Sequence, residues 1–262
     1  MAFISVTGHR LEYERIDVGG HDRPVLVMLH EGLGSIAMWR DFPQRLAHAT
    51  AGRVVVYSRY GYGSSDPLVE PRGIRYMHDE ALLVLPALLD ALGIVQPILV
   101  GHSDGASIAL IHAGGSDRSI MGVVAMAPHV IVEDISVASI AAAREAYATT
   151  GLRARLSRYH ADVDGAFRGW NDIWLRSDFR RWSIEEYLPR VHCPVLAIQG
   201  EDDEYGTMEQ LEIIARNVPD CELVKLEDCR HSPHRDQPEA VLEAISRFVD
   251  RLSFVNRRDT DR

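Results

Sequence analysis

Two rhythms of hydrophobic and polar positions alternate along the chain. FISV and RLEYERI alternate apolar with polar residues at period two, which predicts a β-hairpin at the start. PVLVMLH (24–30) and RVVVYS (53–58) are short unbroken apolar runs, suited to strands covered on both faces. Between them MWRDFPQRLAHA has helical spacing, with Pro43 near its first turn. A glycine-rich turn, RYGYGSSD, follows the second run, and MHDEALLVLPALLDAL (77–92) then shows helical spacing with a proline inside it. PILVGH, GASIALIHAG and IMGVVAMAP read as strand, helix and strand. Near the C-terminus the alternation returns: PVLAIQG as strand, TMEQLEIIARNV as helix, CELVKLED as strand and PEAVLEAISRFVDRL as helix.

Strand and helix in turn require crossover connections, so the expected class is α/β with a mostly parallel central sheet flanked by helices. The rhythm breaks over 133–188, a stretch rich in Arg, Tyr, Trp and Ala with helical spacing and no strand signal. The simplest division is a core of 1–132 and 189–255, a helical insert of 133–188, and a frayed polar tail of 256–262.

Composition narrows the functional classes. The net charge of −10 argues against a nucleic-acid or anionic-membrane partner. No segment reaches the roughly 18 apolar residues of a membrane helix, and the first residues lack a basic stretch followed by an apolar core, so a cytoplasmic location is expected. Cys193, Cys221 and Cys229 lack metal-ligand spacing and read as buried thiols. No nucleotide-binding or metal-binding pattern is present, so no cofactor is expected and the partner is a small-molecule substrate. Homodimerisation is left open.

The chemistry concentrates at ILVGHSDGASIAL. Ser103 sits between Gly101 and Gly105 where a buried strand turns into a helix, the pattern of a nucleophile elbow. The helix N-terminus beneath it offers free N–H groups to a developing oxyanion. A serine nucleophile needs a base and the base an orienter. LAIQGEDDEYGT supplies Asp202 and Asp203 just past one strand, and LEDCRHSPHRDQPEAV supplies His231 and His234 past the last. Both segments follow strand C-termini, where parallel sheets place their ligand crevices.

With LHEGLGS, RYGYGSSD, GHSDG, GEDDEYGT and HSPHRDQPE together, the chain resembles the α/β-hydrolase fold superfamily over 25–249. It is similar to the single-cap branch of carboxylesterases, thioesterases, lactone hydrolases and C–C hydrolases of meta-cleavage products. The resemblance implies an eight-stranded sheet with the cap inserted after strand 6. It favours Asp203, three residues past Gly200, as the acid and His231, the first histidine of its stretch, as the base; His234 becomes a neighbour bonded to nearby backbone. It assigns the oxyanion N–H groups to Asp104 and Gly32, with Leu33 as the alternative to Gly32. Departures from the family pattern are Arg230 before the base and Glu31 in the oxyanion loop, both where glycine is usual. With Asp104, Glu31 places two carboxylates near the oxyanion, which calls for a compensating donor or cation. His30 is expected to be structural, and Arg59 to stay off the substrate.

In the insert, FRGWNDIWL carries Trp170 and Trp174 four apart on one helical face. They are expected to roof the site with an apolar surface, or to pack against the core. Leu33, His102, Trp170 and Trp174 are the expected substrate contacts, with Met38 and Trp39 as further candidates, and Arg153, Arg155 and Arg158 a less favoured carboxylate or phosphate clamp. The expected activity is hydrolysis of an ester, thioester or lactone through an acyl-enzyme, rising through about pH 6–7 as the histidine becomes neutral. The alternatives are C–C hydrolysis, which His102 disfavours because those relatives often carry Asn there, and a non-catalytic small-ligand receptor.

Overall fold

The computed structural model describes residues 1–19 and 23–260, with side chains as far as residue 253. Its strands are β1 (Ala2–Val6), β2 (His9–Asp17), β3 (Val25–Leu29), β4 (Arg53–Tyr57), β5 (Ile98–His102), β6 (Gly122–Met126), β7 (Val195–Gly200) and β8 (Cys221–Leu226). They form one eight-stranded sheet in the order β1-β2-β4-β3-β5-β6-β7-β8. The β1–β2 hairpin and the β2–β4 pair are antiparallel, and every other pairing is parallel. This is the mostly parallel α/β architecture that the alternation of elements implies.

The unbroken apolar runs are explained by cover on both faces. Leu26, Met28, Ile98, Val100, Val124 and Met126 pack in one layer with α1 (Phe42–Thr50) and with α10 (Pro238–Thr260), which follows the single turn of α9 (Pro233–Asp236). Their alternate neighbours Val27, Leu29, Leu99, Val123 and Ala125 pack on the other side with α3 (Leu85–Leu92), α4 (Asp104–Gly115) and α8 (Glu209–Asn217). Each Val, Leu, Ile or Met among them contributes about 1.5–3 kcal/mol by leaving water.

The helix expected over 77–92 is not uniform. It begins as α2 (Tyr76–Asp79), widens into a π turn at Glu80–Val84, and resumes as α3. Pro86 explains the widening, since it has no N–H for the carbonyl one turn back and its ring crowds that turn. The Ala81 carbonyl accepts a bond from across the layer instead, from the Nδ1–H of His112 in α4 at 2.8 Å.

Between β6 and β7 lie α5 (Asp134–Thr149), α6 (Leu152–Leu156), α7 (Val163–Trp174) and two 3₁₀ turns at Phe179–Arg181 and Glu185–Arg190. The first N–H groups of α7 are capped by Asp162, whose carboxylate accepts the Gly165 N–H at 3.0 Å. Where the composition suggests a frayed tail from residue 256, α10 continues to Thr260; residues 261–262 of that tail lie outside the described residues. Cys229 is buried as expected, whereas Cys193 and Cys221 are only half-buried, and all three are free.

Candidate active site

Ser103 follows β5 and caps α4 with φ 54° and ψ −120°. A non-glycine residue there stores roughly 1–3 kcal/mol of strain, which the packing holds in place. The Ser103 N–H extends the sheet ladder to the Met126 carbonyl at 2.9 Å. Its flanking glycines are required by contact. A Cβ on Gly101 would lie 2.3 Å from the Gly105 carbonyl oxygen, and one on Gly105 would lie 2.1 Å from that of Leu29. No side chain fits at either position.

The acid and base arrive on adjacent strands. Gly200 closes β7, and a Cβ there would lie 2.0 Å from the Cys229 carbonyl oxygen, so the bare backbone lets the loop after β8 press close. Asp202 donates its N–H to that carbonyl at 3.0 Å. Asp203, the next residue, turns inward: its carboxylate meets His231 Nδ1 at 2.8 and 3.0 Å. The other face of the ring places Nε2 at 2.9 Å from Ser103 Oγ. Burial pushes the Asp203 carboxyl up, but the His231 ring, with the Tyr205 N–H donating at 2.8 Å, outweighs burial and holds it below its usual range. An ionised Asp203 takes the Nδ1 proton as a hydrogen bond, leaving Nε2 bare toward the serine hydroxyl. His234 is not part of this chain. Its buried ring packs against Trp39, Phe42 and His102, and Nδ1 has no partner among the described residues, in place of the backbone bond expected from sequence.

The loop after β3 is locked by two buried groups. His30 Nε2 accepts the Arg59 N–H at 3.0 Å, so its Nδ1 carries the proton and donates to the Glu31 carbonyl at 2.7 Å. Arg59 donates to the same carbonyl at 2.9 Å. The peptide is trans, so with its C=O held toward these donors the N–H of Gly32 faces the opposite way. Neither the Gly32 nor the Asp104 N–H is taken by a backbone acceptor among the described residues.

The two carboxylates near this point are each answered. Asp104 accepts from Tyr76 Oη at 2.6 Å and lies 3.8 Å from the Arg59 guanidinium, both groups being 1% exposed. Glu31 curls back over its own loop, where a Cβ on Gly34 would touch its Oε2, and faces His102 Nδ1 at 3.5 Å. Burial would raise the Glu31 carboxyl, but His102 holds it well below the usual carboxylate range. His102 in turn donates from Nε2 to the His231 carbonyl at 2.7 Å. It walls the cavity, yet both of its nitrogens are directed at protein groups, not toward a substrate.

A cavity of about 170 Å³ opens above Ser103. Gly32, Leu33, His102, Asp104, Trp170 and Trp174 all line it. Trp170 lies directly over Gly32, where a Cβ would be 2.2 Å from its ring. Trp174 is 1% exposed and donates its Nε1–H to Tyr76 Oη at 3.0 Å. Met38 and Trp39 are not on this wall; Trp39 packs in the opposite layer with Phe42. Arg153 binds Asp164 at the surface, and Arg155 and Arg158 are exposed and away from the cavity.

Three wall or loop contacts were not anticipated. His129 lies three residues past β6, with its ring 4.9 Å from Trp174 and 5.7 Å from His231; the strand-end rule that located the acid and base applies to it equally. Tyr205 packs its ring at a tilt, 4.7 Å from that of His231. His160, in the insert, accepts the Gly63 N–H at 3.1 Å and donates to the Leu33 carbonyl at 3.0 Å. No local pattern marks that last pairing, which spans 127 residues.

Among known proteins, the proline iminopeptidase of Heyndrickxia coagulans is 23% identical over 95% of this chain and 98% of its own length. A carboxylesterase structure from the thaumarchaeon Nitrososphaera gargenis superposes with a TM-score of 0.76 at 19% identity, covering 96% of this chain and 99% of that one. The enol-lactonase of Burkholderia xenovorans LB400 gives 0.74 at 20% identity over 95% and 100%. Residues 26–244 match the model of the alpha/beta hydrolase family, and the chain belongs to that family, an enzyme of the hydrolase class.

Proposed function

We propose that the protein is a serine hydrolase that cleaves a carboxylic ester, thioester or lactone of a small, apolar or aromatic substrate through an acyl-enzyme. The unbroken chain Ser103–His231–Asp203 carries this reading. His231 Nε2 takes the hydroxyl proton as Ser103 Oγ attacks the carbonyl carbon, and Asp203 steadies the imidazolium. The oxyanion is held by the N–H groups of Asp104 and Gly32, a contribution of about 3–4 kcal/mol per donor in such sites. His231 then protonates the leaving oxygen or sulfur, and water repeats the sequence to release the acid.

The helical insert acts as the cap. Ile140, Trp170 and Trp174 close over the serine, exclude water and favour an apolar acyl group. The volume is below the roughly 300–1,000 Å³ usual for drug-sized ligands, which supports a small substrate. The similar proteins are named as a peptidase, a carboxylesterase and a lactonase, which supports hydrolysis and leaves the scissile bond open. A fluorophosphonate probe should label wild type and leave Ser103→Ala untouched. A folded wild type that resists the probe would point to a receptor instead.

A further inference from the structure

The cavity above Ser103 is lined by the acidic residues Glu31, Asp104 and Glu204, of which Asp104 is paired with Arg59, and by no Lys or Arg among the described residues. Glu204 stands exposed at the rim, where its Oε2 accepts the His231 backbone N–H at 3.2 Å and no basic side chain pairs with it. Glu31 faces only the His102 imidazole. The nearest guanidinium, Arg59, lies behind the wall; it is 1% exposed and committed to Asp104 and to the carbonyls of His30 and Glu31. Burial, then the neighbouring His231, lower His129 to about 3, and its Nδ1 has no partner among the described residues. A group entering toward Trp174 therefore passes the Glu204 carboxylate and a Glu31 already matched by His102, and meets no Lys or Arg side chain on the wall.

We propose that this site admits uncharged acyl groups and rejects anionic ones, so its substrates are neutral esters or lactones and not half-esters of dicarboxylic acids or thioesters of phosphate-bearing carriers. The inference rests on Ser103 being the nucleophile. The oxyanion is not subject to the same penalty, because it forms together with the His231 imidazolium and adds no net charge. A substrate carboxylate has no such counterpart. At an effective dielectric of about 20, two like charges within about 10 Å of each other lower reactivity by a factor on the order of ten.

Three ethyl p-nitrophenyl phosphonates of matched length test this. Their alkyl chain ends in isopropyl, in carboxylate or in trimethylammonium, and the readout is the second-order rate of Ser103 labelling by intact mass. The carboxylate probe should react at least about tenfold more slowly than the isopropyl probe, and the cationic probe should not share its defect. Glu204→Gln, which keeps an acceptor for the His231 N–H, should narrow the gap. Equal rates for the neutral and anionic probes would overturn the proposal, as would a cationic probe as slow as the anionic one, since polarity and not sign would then be selected. Failure of all three probes on folded wild type would remove the nucleophile itself, and the proposal with it.

Discussion

Ser103, His231 and Asp203 form a single hydrogen-bonded chain, so under the proposed mechanism their substitutions should not add. Ser103→Ala and Asp203→Asn are each expected to lower kcat by about 10³–10⁴, with the double variant no worse than the more damaging single one; ester turnover measures this. His102 holds the base through a carbonyl and not through the ring it serves. His102→Leu should cut kcat by about tenfold with KM little changed, whereas His102→Gln, long enough to reach the same carbonyl, should recover part of the loss. An unchanged kcat in the leucine variant would deny that role. The sequence made the strained turn at Ser103 legible because an elbow needs two glycines at fixed spacing. It could not show what balances Glu31 and Asp104, because His102 and Arg59 reach them only after three strands have assembled side by side.

Between elements, the closest dependence joins the loop after β3 to α7. Gly32 has no room for a methyl group because Trp170 fills the space. Gly32→Ala should therefore lower both kcat and stability, by roughly 1–3 kcal/mol for an overpacked site. The same change in a Trp170→Ala background should cost markedly less, a coupling that a double-mutant cycle in urea would read directly. The regular strands and helices were readable because their periodicity reflects burial on one face or two. The π turn was not, since Pro86 signals an interruption without specifying whether the helix kinks, ends or widens. His129 and His160 escaped because a lone histidine carries no period. Only the fold shows that one lies beside His231 and the other ties the insert to the loop after β3.

At the scale of the whole molecule, buried histidines set the response to acid. His30, His129, His160 and His234 are all lowered, in each case first by burial. In the unfolded chain such rings titrate near 6.5, so below that pH the unfolded state binds more protons than the native one. Each ring then removes up to about 1.4 kcal/mol per pH unit, until the native pKa is reached. Asp203 and Glu31 are lowered too, and their stabilising effect, complete above about pH 4, is lost as pH falls further. Both groups act in the same direction. The urea midpoint should drop between pH 7 and pH 5, and His129→Asn should show a shallower slope. A midpoint constant across that interval would contradict the assignment of these rings as neutral.

The bond from His160 to the Leu33 carbonyl also has a structural meaning. It fastens the insert to the same short loop that Trp170 presses on at Gly32, so that two sides of the cavity, distant in the chain, hold each other in position.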